Sequence, residues 1–183
     1  MNATKIVVSL AMLTTVCWSS LSAQVTTSRP TKESCRAFVE EFYNWYVPKA
    51  RNLNVDSIDL ALKERRSAFD AHLLNAVEAV EKDARRNSEA GLDFDWILNT
   101  QDAGDPGDPG YLVRNAIVSE KICRIEIYRQ PREGKLEKEI MPDLRFENGQ
   151  WLFVDFHYPD SADLLSQTTT YLDSVSEPLN KPR

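Results

Sequence analysis

The sequence predicts an α+β domain, in which a curved antiparallel sheet of about four strands packs around N-terminal helices and a C-terminal amphipathic helix follows. Apolar residues recur at helical spacing up to about residue 86 and alternate from Tyr111 onward. The pair Asn148-Gly149 lies between two apolar runs and is typical of a tight hairpin turn. Helices first and a meander of strands second is the order of α+β chains.

Length and charge limit the protein classes that fit. The chain has 183 residues and a formal net charge of −6, which suits one domain. Its pI near 5.0 excludes a nucleic-acid binder, which needs a basic face to neutralise phosphates. The sequence contains no phosphate loop, dinucleotide glycine fingerprint, paired-histidine zinc motif or nucleophile elbow, so no cofactor is predicted.

The first segment has the layout of a secretory signal peptide over residues 1–23. Lys5 precedes an apolar run from Ile6 to Trp18, and small residues lead to Ala23. We therefore expect an exported protein, periplasmic or secreted, with no membrane span after signal cleavage. The remainder is expected to comprise a disordered leader, a single domain and a flexible tail, at residues 24–30, 31–176 and 177–183.

Two helical blocks precede the strands. The first helix is predicted to begin after Thr31 and to end at Pro48, whose ring cannot continue the hydrogen-bond ladder. Its apolar stripe consists of Cys35, Phe38, Val39, Phe42, Trp45 and Tyr46. The second block covers about residues 57–86, with a bend at 63–66. Its charged side chains are interpreted as a solvated face: Glu78, Glu81, Lys82, Asp83, Arg85 and Arg86.

The strands are predicted from alternation. Cys123, Ile125 and Ile127 point to one face of their strand. A charged strand follows from Leu136 and continues beyond Pro142. In the last strand one face is predicted to hold Leu152, Val154 and Phe156, and the other Trp151, Phe153 and Asp155. This alternation makes Trp151 and Phe153 an exposed apolar patch for a partner.

Two cysteines remain once Cys17 leaves with the signal peptide. An oxidising compartment allows a disulfide between Cys35 and Cys123. The alternative is a pair of buried free thiols, which pack well as small hydrophobic groups. The sequence leaves both arrangements open.

Four motifs occur in one order along the chain: FYNWY at 42–46, LDFDWILNTQD at 92–102, WLFVDFHYP at 151–159 and DLL at 163–165. In these the chain resembles the bacterial domain of unknown function 3828 family, which includes small secreted proteins and lipoproteins. The resemblance covers residues 34–174. It implies a cone-shaped, cystatin-like fold similar to nuclear transport factor 2, and a compartment, but no reaction.

An aromatic-lined cone with polar groups at its mouth suggests a ligand pocket. The candidate binding residues are Trp45, Tyr46, Asp93, Asp95, Gln101 and Asp102. A carboxylate in such a pocket would have a raised pKa and could act as a general base. Asp95, paired with His157 or Tyr46, is the catalytic candidate.

The acidic loop predicts no metal site. Its carboxylates belong to Asp93, Asp95, Asp102, Asp105 and Asp108, and their spacing does not match a calcium loop. Three functions stay open: a domain that binds a small molecule, a peptide or an envelope protein; a small hydrolase, isomerase or dehydratase that uses Asp95; and a periplasmic inhibitor or immunity-type protein. Of these, the sequence favours binding over catalysis.

Overall fold

A computed structural model describes residues 30–52, 54–88, 91–104, 110–119, 121–130 and 134–176. The predicted signal peptide at 1–23, the leader up to residue 29 and the tail at 177–183 lie outside the described residues, as do Asp105 and Asp108.

Within these ranges the chain forms an α+β fold, as predicted. The elements in chain order are α1 (Lys32–Ala50), α2 (Ser57–Glu64), a 3-10 turn (Arg66–Ala68), α3 (Ala71–Asn87), β1 (Tyr111–Ser119), β2 (Ile122–Arg129), β3 (Glu137–Glu147), β4 (Gln150–His157) and α4 (Leu164–Ser176). The strands form one antiparallel sheet in the order β1-β2-β3-β4. No described helix is long and apolar enough to cross a membrane.

Helix α1 begins as predicted and ends later than predicted. Thr31 and Ser34 form a reciprocal capping box at its start. Pro48 lies inside the helix, so the expectation that it ends the helix is wrong. The proline removes only the N–H that would donate to Asn44, an exposed residue whose carbonyl can meet water. Buried Val47 keeps the last turn in place, and its carbonyl accepts from the Arg51 N–H at 3.2 Å.

The second helical block bends where the charged residues predicted a bend. Helix α2 ends at Glu64, and α3 starts after Asp70, whose carboxylate accepts from the His72 N–H. The segment between them touches the sheet, since Phe69 forms a parallel bridge with Phe153 and the Asp70 N–H donates to the Phe153 carbonyl at 2.8 Å. This contact covers the outer edge of β4.

A bulge in β4 overturns the predicted alternation. Leu144 pairs with Phe153 and Asp143 pairs with Asp155, so Val154 is an extra residue. The extra residue shifts the side-chain parity, and Trp151, Phe153 and Phe156 are all buried. The predicted exposed patch of Trp151 and Phe153 is therefore wrong.

The core lies between α1 and the sheet. Phe42 packs edge-on against Phe153, with ring centroids 4.9 Å apart. The predicted inward face of β2 is confirmed, because Cys123, Ile125 and Ile127 are fully buried. A disulfide joins Cys123 to Cys35 of α1 across a Cα–Cα distance of 6.7 Å, and so resolves the choice left open by the sequence.

Candidate functional site

Asp95 is a half-buried hydrogen-bond acceptor that joins three segments. Its Oδ1 accepts from the backbone N–H groups of Ile97 and Leu98, both at 3.0 Å. Its Oδ2 accepts from the Tyr46 hydroxyl at 2.7 Å and from the Ser57 hydroxyl at 3.4 Å. The carboxylate thus ties α1 and the start of α2 to the turn that follows it.

The electrostatics of this group agree with a half-buried acceptor. Burial raises the pKa of Asp95, and its hydrogen bonds from Tyr46 and the backbone oppose that rise. Burial and then the Asp95 charge raise the pKa of Tyr46, which keeps its hydroxyl protonated as a donor. Both Asp95 oxygens are engaged, and Asp95 lines none of the three surface grooves described below.

The other predicted binding residues do not gather around Asp95. Asp93, Gln101 and Asp102 are exposed, and the Asp102 carboxylate accepts from the Gly104 N–H at 2.8 Å within its own loop. Half-buried Trp45 lies between two cations, with Lys49 Nζ at 4.6 Å and the Arg65 guanidinium carbon at 5.0 Å from the ring centroid. Of the six candidates, only Tyr46 and Asp95 form a hydrogen bond with each other.

His157, the second catalytic candidate, belongs to a separate cluster on the sheet. Its Nε2 lies 2.9 Å from Asp143 Oδ2 and 3.0 Å from the Arg124 guanidinium. Arg124 also donates to both oxygens of Asp143, at 2.6 and 2.7 Å. The hydrogen bond with Asp143 raises the pKa of His157. Burial alone would raise the pKa of Asp143, but the bonds from Arg124 and His157 lower it overall.

Asp155, His157 and Asp163 are close enough to hold a metal ion, with ligand atoms within 4.8 Å of one another. Their atoms are already engaged, however. Asp155 accepts from the Leu165 N–H at 3.2 Å, and Asp163 accepts from the Ser166 N–H at 2.8 Å, where it caps α4. The positive guanidinium of Arg124 lies against the same His157 nitrogen. This geometry favours a structural cluster.

A groove with a volume of about 600 Å³ lies between α2 and α3. We call it the α2–α3 groove. That volume falls in the range of small-molecule pockets, roughly 300–1,000 Å³. Its apolar lining consists of Ile58, Leu62, Leu92, Phe94 and Trp96. Its charged lining consists of Asp56, Asp59, Lys63, Glu78, Glu81, Lys82 and Arg85.

Asp95 lies next to this groove and stabilises the segment that lines it. Phe94 and Trp96 line the groove, and Asp95 between them fixes the backbone through Ile97 and Leu98. Trp96 is 2% exposed, and its indole N–H is buried with no acceptor in the described part of the chain. The predicted site residue is thus adjacent to the groove and not inside it.

Two smaller grooves, of about 320 and 210 Å³, lie where α1 meets β1. Tyr43 and Tyr111 line both. The Tyr43 hydroxyl donates to the Ile97 carbonyl at 2.7 Å, whereas the buried Tyr111 hydroxyl has no partner among the described residues. Their small volumes make these grooves weaker candidates than the α2–α3 groove.

Sequence reasoning missed the α2–α3 groove. The charges of α3 were interpreted as a solvated face, and Glu78, Lys82 and Arg85 do form one wall of the groove. The recurrence of these charges at every third or fourth residue, together with the aromatic pair Phe94 and Trp96, was the available signal.

Comparison with family models, curated proteins and solved structures finds no match for this chain. The resemblance to the domain of unknown function 3828 family therefore stays a prediction.

Proposed function

We propose that this protein is an exported, non-enzymatic binding domain that holds a small molecule or a short peptide segment in the α2–α3 groove. The observation that carries the proposal is the groove itself: about 600 Å³, with an apolar floor of five side chains and a charged rim. An apolar surface with a few polar groups around it is the usual composition of a ligand site.

Binding is favoured over catalysis by the state of the carboxylate that would act as the base. Asp95 accepts four hydrogen bonds, two of them from backbone N–H groups, and has no contact with His157 among its hydrogen bonds. A general base needs an oxygen within reach of the substrate proton. Asp95 is better suited to hold the wall of the groove.

Export is part of the proposal. It is supported by the apolar run after Lys5 and the small residues before Ala23. The disulfide between Cys35 and Cys123 is compatible with an oxidising compartment. Separation of periplasm, medium and membranes, followed by mass spectrometry of the new N-terminus, tests both the compartment and cleavage after Ala23.

The binding proposal is tested by adding a library of anionic, neutral and cationic fragments to the 15N-labelled protein. We expect a subset to shift the indole N–H signal of Trp96 and the amide of Leu92, since both residues line the groove. Leu62→Gln should weaken those shifts, and Leu136→Gln, an exposed leucine outside the groove, should not. A library that leaves the groove signals unchanged would exclude the proposed function.

A further inference from the structure

The acidic and the basic side chains around the α2–α3 groove differ in how many of them have a partner within the protein. Hydrogen-bond acceptors on its rim are largely engaged by neighbouring residues, and the cationic donors are not. This inequality constrains the ligand, because a bound molecule gains most from groups that have no other partner.

The acidic side chains of the rim are held by the protein itself. Glu78 pairs with Arg66, and this ion pair lowers the pKa of Glu78. One oxygen of Glu81 accepts from the Leu92 N–H at 3.2 Å. Asp56 caps α2 by accepting from the Asp59 N–H at 3.0 Å. Three of the four carboxylates therefore have structural partners.

The cationic side chains of the rim have no such partners. Lys82 and Arg85 stand one turn apart on α3, and Lys63 lies on the opposite wall at the end of α2. Each is exposed, and none forms an ion pair or a side-chain hydrogen bond with any other residue in the described ranges. Both walls of the groove thus offer a free positive donor.

We infer that the groove binds an apolar molecule carrying a single carboxylate, with the apolar part on the floor and the carboxylate at Lys63, Lys82 and Arg85. The inference rests on the proposed function. The carboxylates of Asp56, Asp59, Glu78 and Glu81 stay at the same rim and would repel a polyanion. A monoanion meets the free cations without gathering several negative charges there.

The apolar half of the ligand follows from the floor. Leu92, Phe94 and Trp96 line the groove from alternate positions of one segment, and Ile58 and Leu62 line it from α2. Removing apolar surface from water is favourable, so a hydrocarbon chain that covers this floor contributes to the affinity. The charge at its end then selects the ligand.

Isothermal titration with four probes that share a ten-carbon chain tests this inference: decanoate, decanol, decyltrimethylammonium and decyl phosphate. We expect decanoate to bind at least about tenfold more tightly than each of the others, a difference of about 1.4 kcal/mol. A Leu-Phe-Leu peptide with a free C-terminus, compared with its amide, shows whether a peptide end is accepted as the carboxylate source. Tighter binding of the free peptide than of its amide would show that a peptide C-terminus can supply the carboxylate, and equal binding would restrict the carboxylate source to small molecules such as decanoate.

Variants locate the carboxylate. Lys82→Gln combined with Arg85→Gln should reduce decanoate affinity about tenfold and leave decanol affinity unchanged. Lys32→Gln, an exposed lysine of α1 outside the groove, is the matched control and should change neither affinity. The Trp96 indole signal should respond to decanoate in the double variant only at higher concentration.

These experiments distinguish the preference for a carboxylate from binding in the groove itself. If decanol or decyltrimethylammonium binds in the groove as tightly as decanoate, the carboxylate inference is overturned and the proposed function stands. Preference for decyl phosphate overturns it in the same way. If none of the probes or library fragments shifts the groove signals, both fail.

Discussion

At the scale of single residues, the most consequential side chain is Asp95. A buried carboxylate is costly unless every oxygen is satisfied, and here backbone N–H groups and two hydroxyls satisfy it. Its effect on function is indirect, since it fixes the segment that carries Phe94 and Trp96.

Replacing Asp95 with Ala should destabilise the fold. The Tyr46 hydroxyl and the N–H groups of Ile97 and Leu98 would lose their acceptor, and each buried unsatisfied group costs about 1–3 kcal/mol. We expect a loss of about 3 kcal/mol in the free energy of unfolding, measured by urea denaturation. Asp93→Ala, at an exposed neighbour, should stay within about 0.5 kcal/mol of the wild type. Equal stabilities for the two variants would contradict the structural role of Asp95.

His157 and Asp143 make stability depend on pH. The pKa of His157 is raised from 6.5, so its contribution is complete below about that pH and is lost as the pH rises through the folded-state pKa. The pKa of Asp143 is lowered from 3.8, so its contribution is present above that value and is lost as the pH falls through the folded-state pKa. Their joint contribution is therefore largest between about pH 4 and pH 6.5.

Thermal melting from pH 5 to pH 9 checks this effect. His157→Gln should melt at a temperature closer to that of the wild type at pH 9 than at pH 5. His72→Gln, at the exposed start of α3, is the control and should follow the wild-type profile. A constant difference between His157→Gln and wild type across this range would exclude the linkage.

At the scale of elements, local chemistry accounts for what could be predicted. Asn148-Gly149 gives the β3–β4 hairpin because both residues adopt positive φ, 51° and 85°. The parity of β2 follows from simple alternation. The bulge at Val154 could not be predicted, since the sequence spacing of Trp151, Phe153 and Phe156 has no single period. Pro48 was misjudged because tertiary burial of Val47 outweighs one missing hydrogen bond.

The hairpin turn provides an element-scale prediction. Gly149→Ala places a side chain at φ 85° and should lower the free energy of unfolding by about 1 kcal/mol. Gly110→Ala is the matched control, because a Cβ there meets no atom within 4 Å and the backbone is not left-handed. Chemical denaturation of both variants makes the comparison. A Gly149→Ala protein as stable as Gly110→Ala would contradict the strain argument.

At the scale of the whole molecule, the site could be predicted less well than the fold. Lys63 of α2 and Lys82 of α3, which are distant in the sequence, line the same α2–α3 groove after folding. The spacing of the α3 charges could indicate one wall of the groove, but the pairing of that wall with α2 required the tertiary structure. The contact between Tyr46 and Asp95 could be proposed because both were candidates for one polar cluster. The separation of Asp95 from His157 needed the tertiary structure.

The disulfide joins distant parts of the molecule, because Cys35 and Cys123 are 88 positions apart in the sequence. A disulfide constrains the unfolded chain and typically contributes about 2–4 kcal/mol to stability. The double variant Cys35→Ser, Cys123→Ser should lose this amount in urea denaturation without reductant. The same loss should appear in the wild type after reduction. Unchanged stability in both would show that the bond does not stabilise the fold.

The two edges of the sheet are unlike. The segment around Phe69 and Asp70 covers β4, whereas in the described residues β1 pairs with β2 alone, and its Ile117 is 55% exposed. An additional strand would therefore pair more readily with β1 than with β4, whose edge is covered at Phe69. Ile117→Lys should reduce light scattering during refolding, and Val175→Lys, the same change on α4, should not. The contacts of Phe69 and Asp70 with Phe153 thus limit extension of the sheet beyond β4.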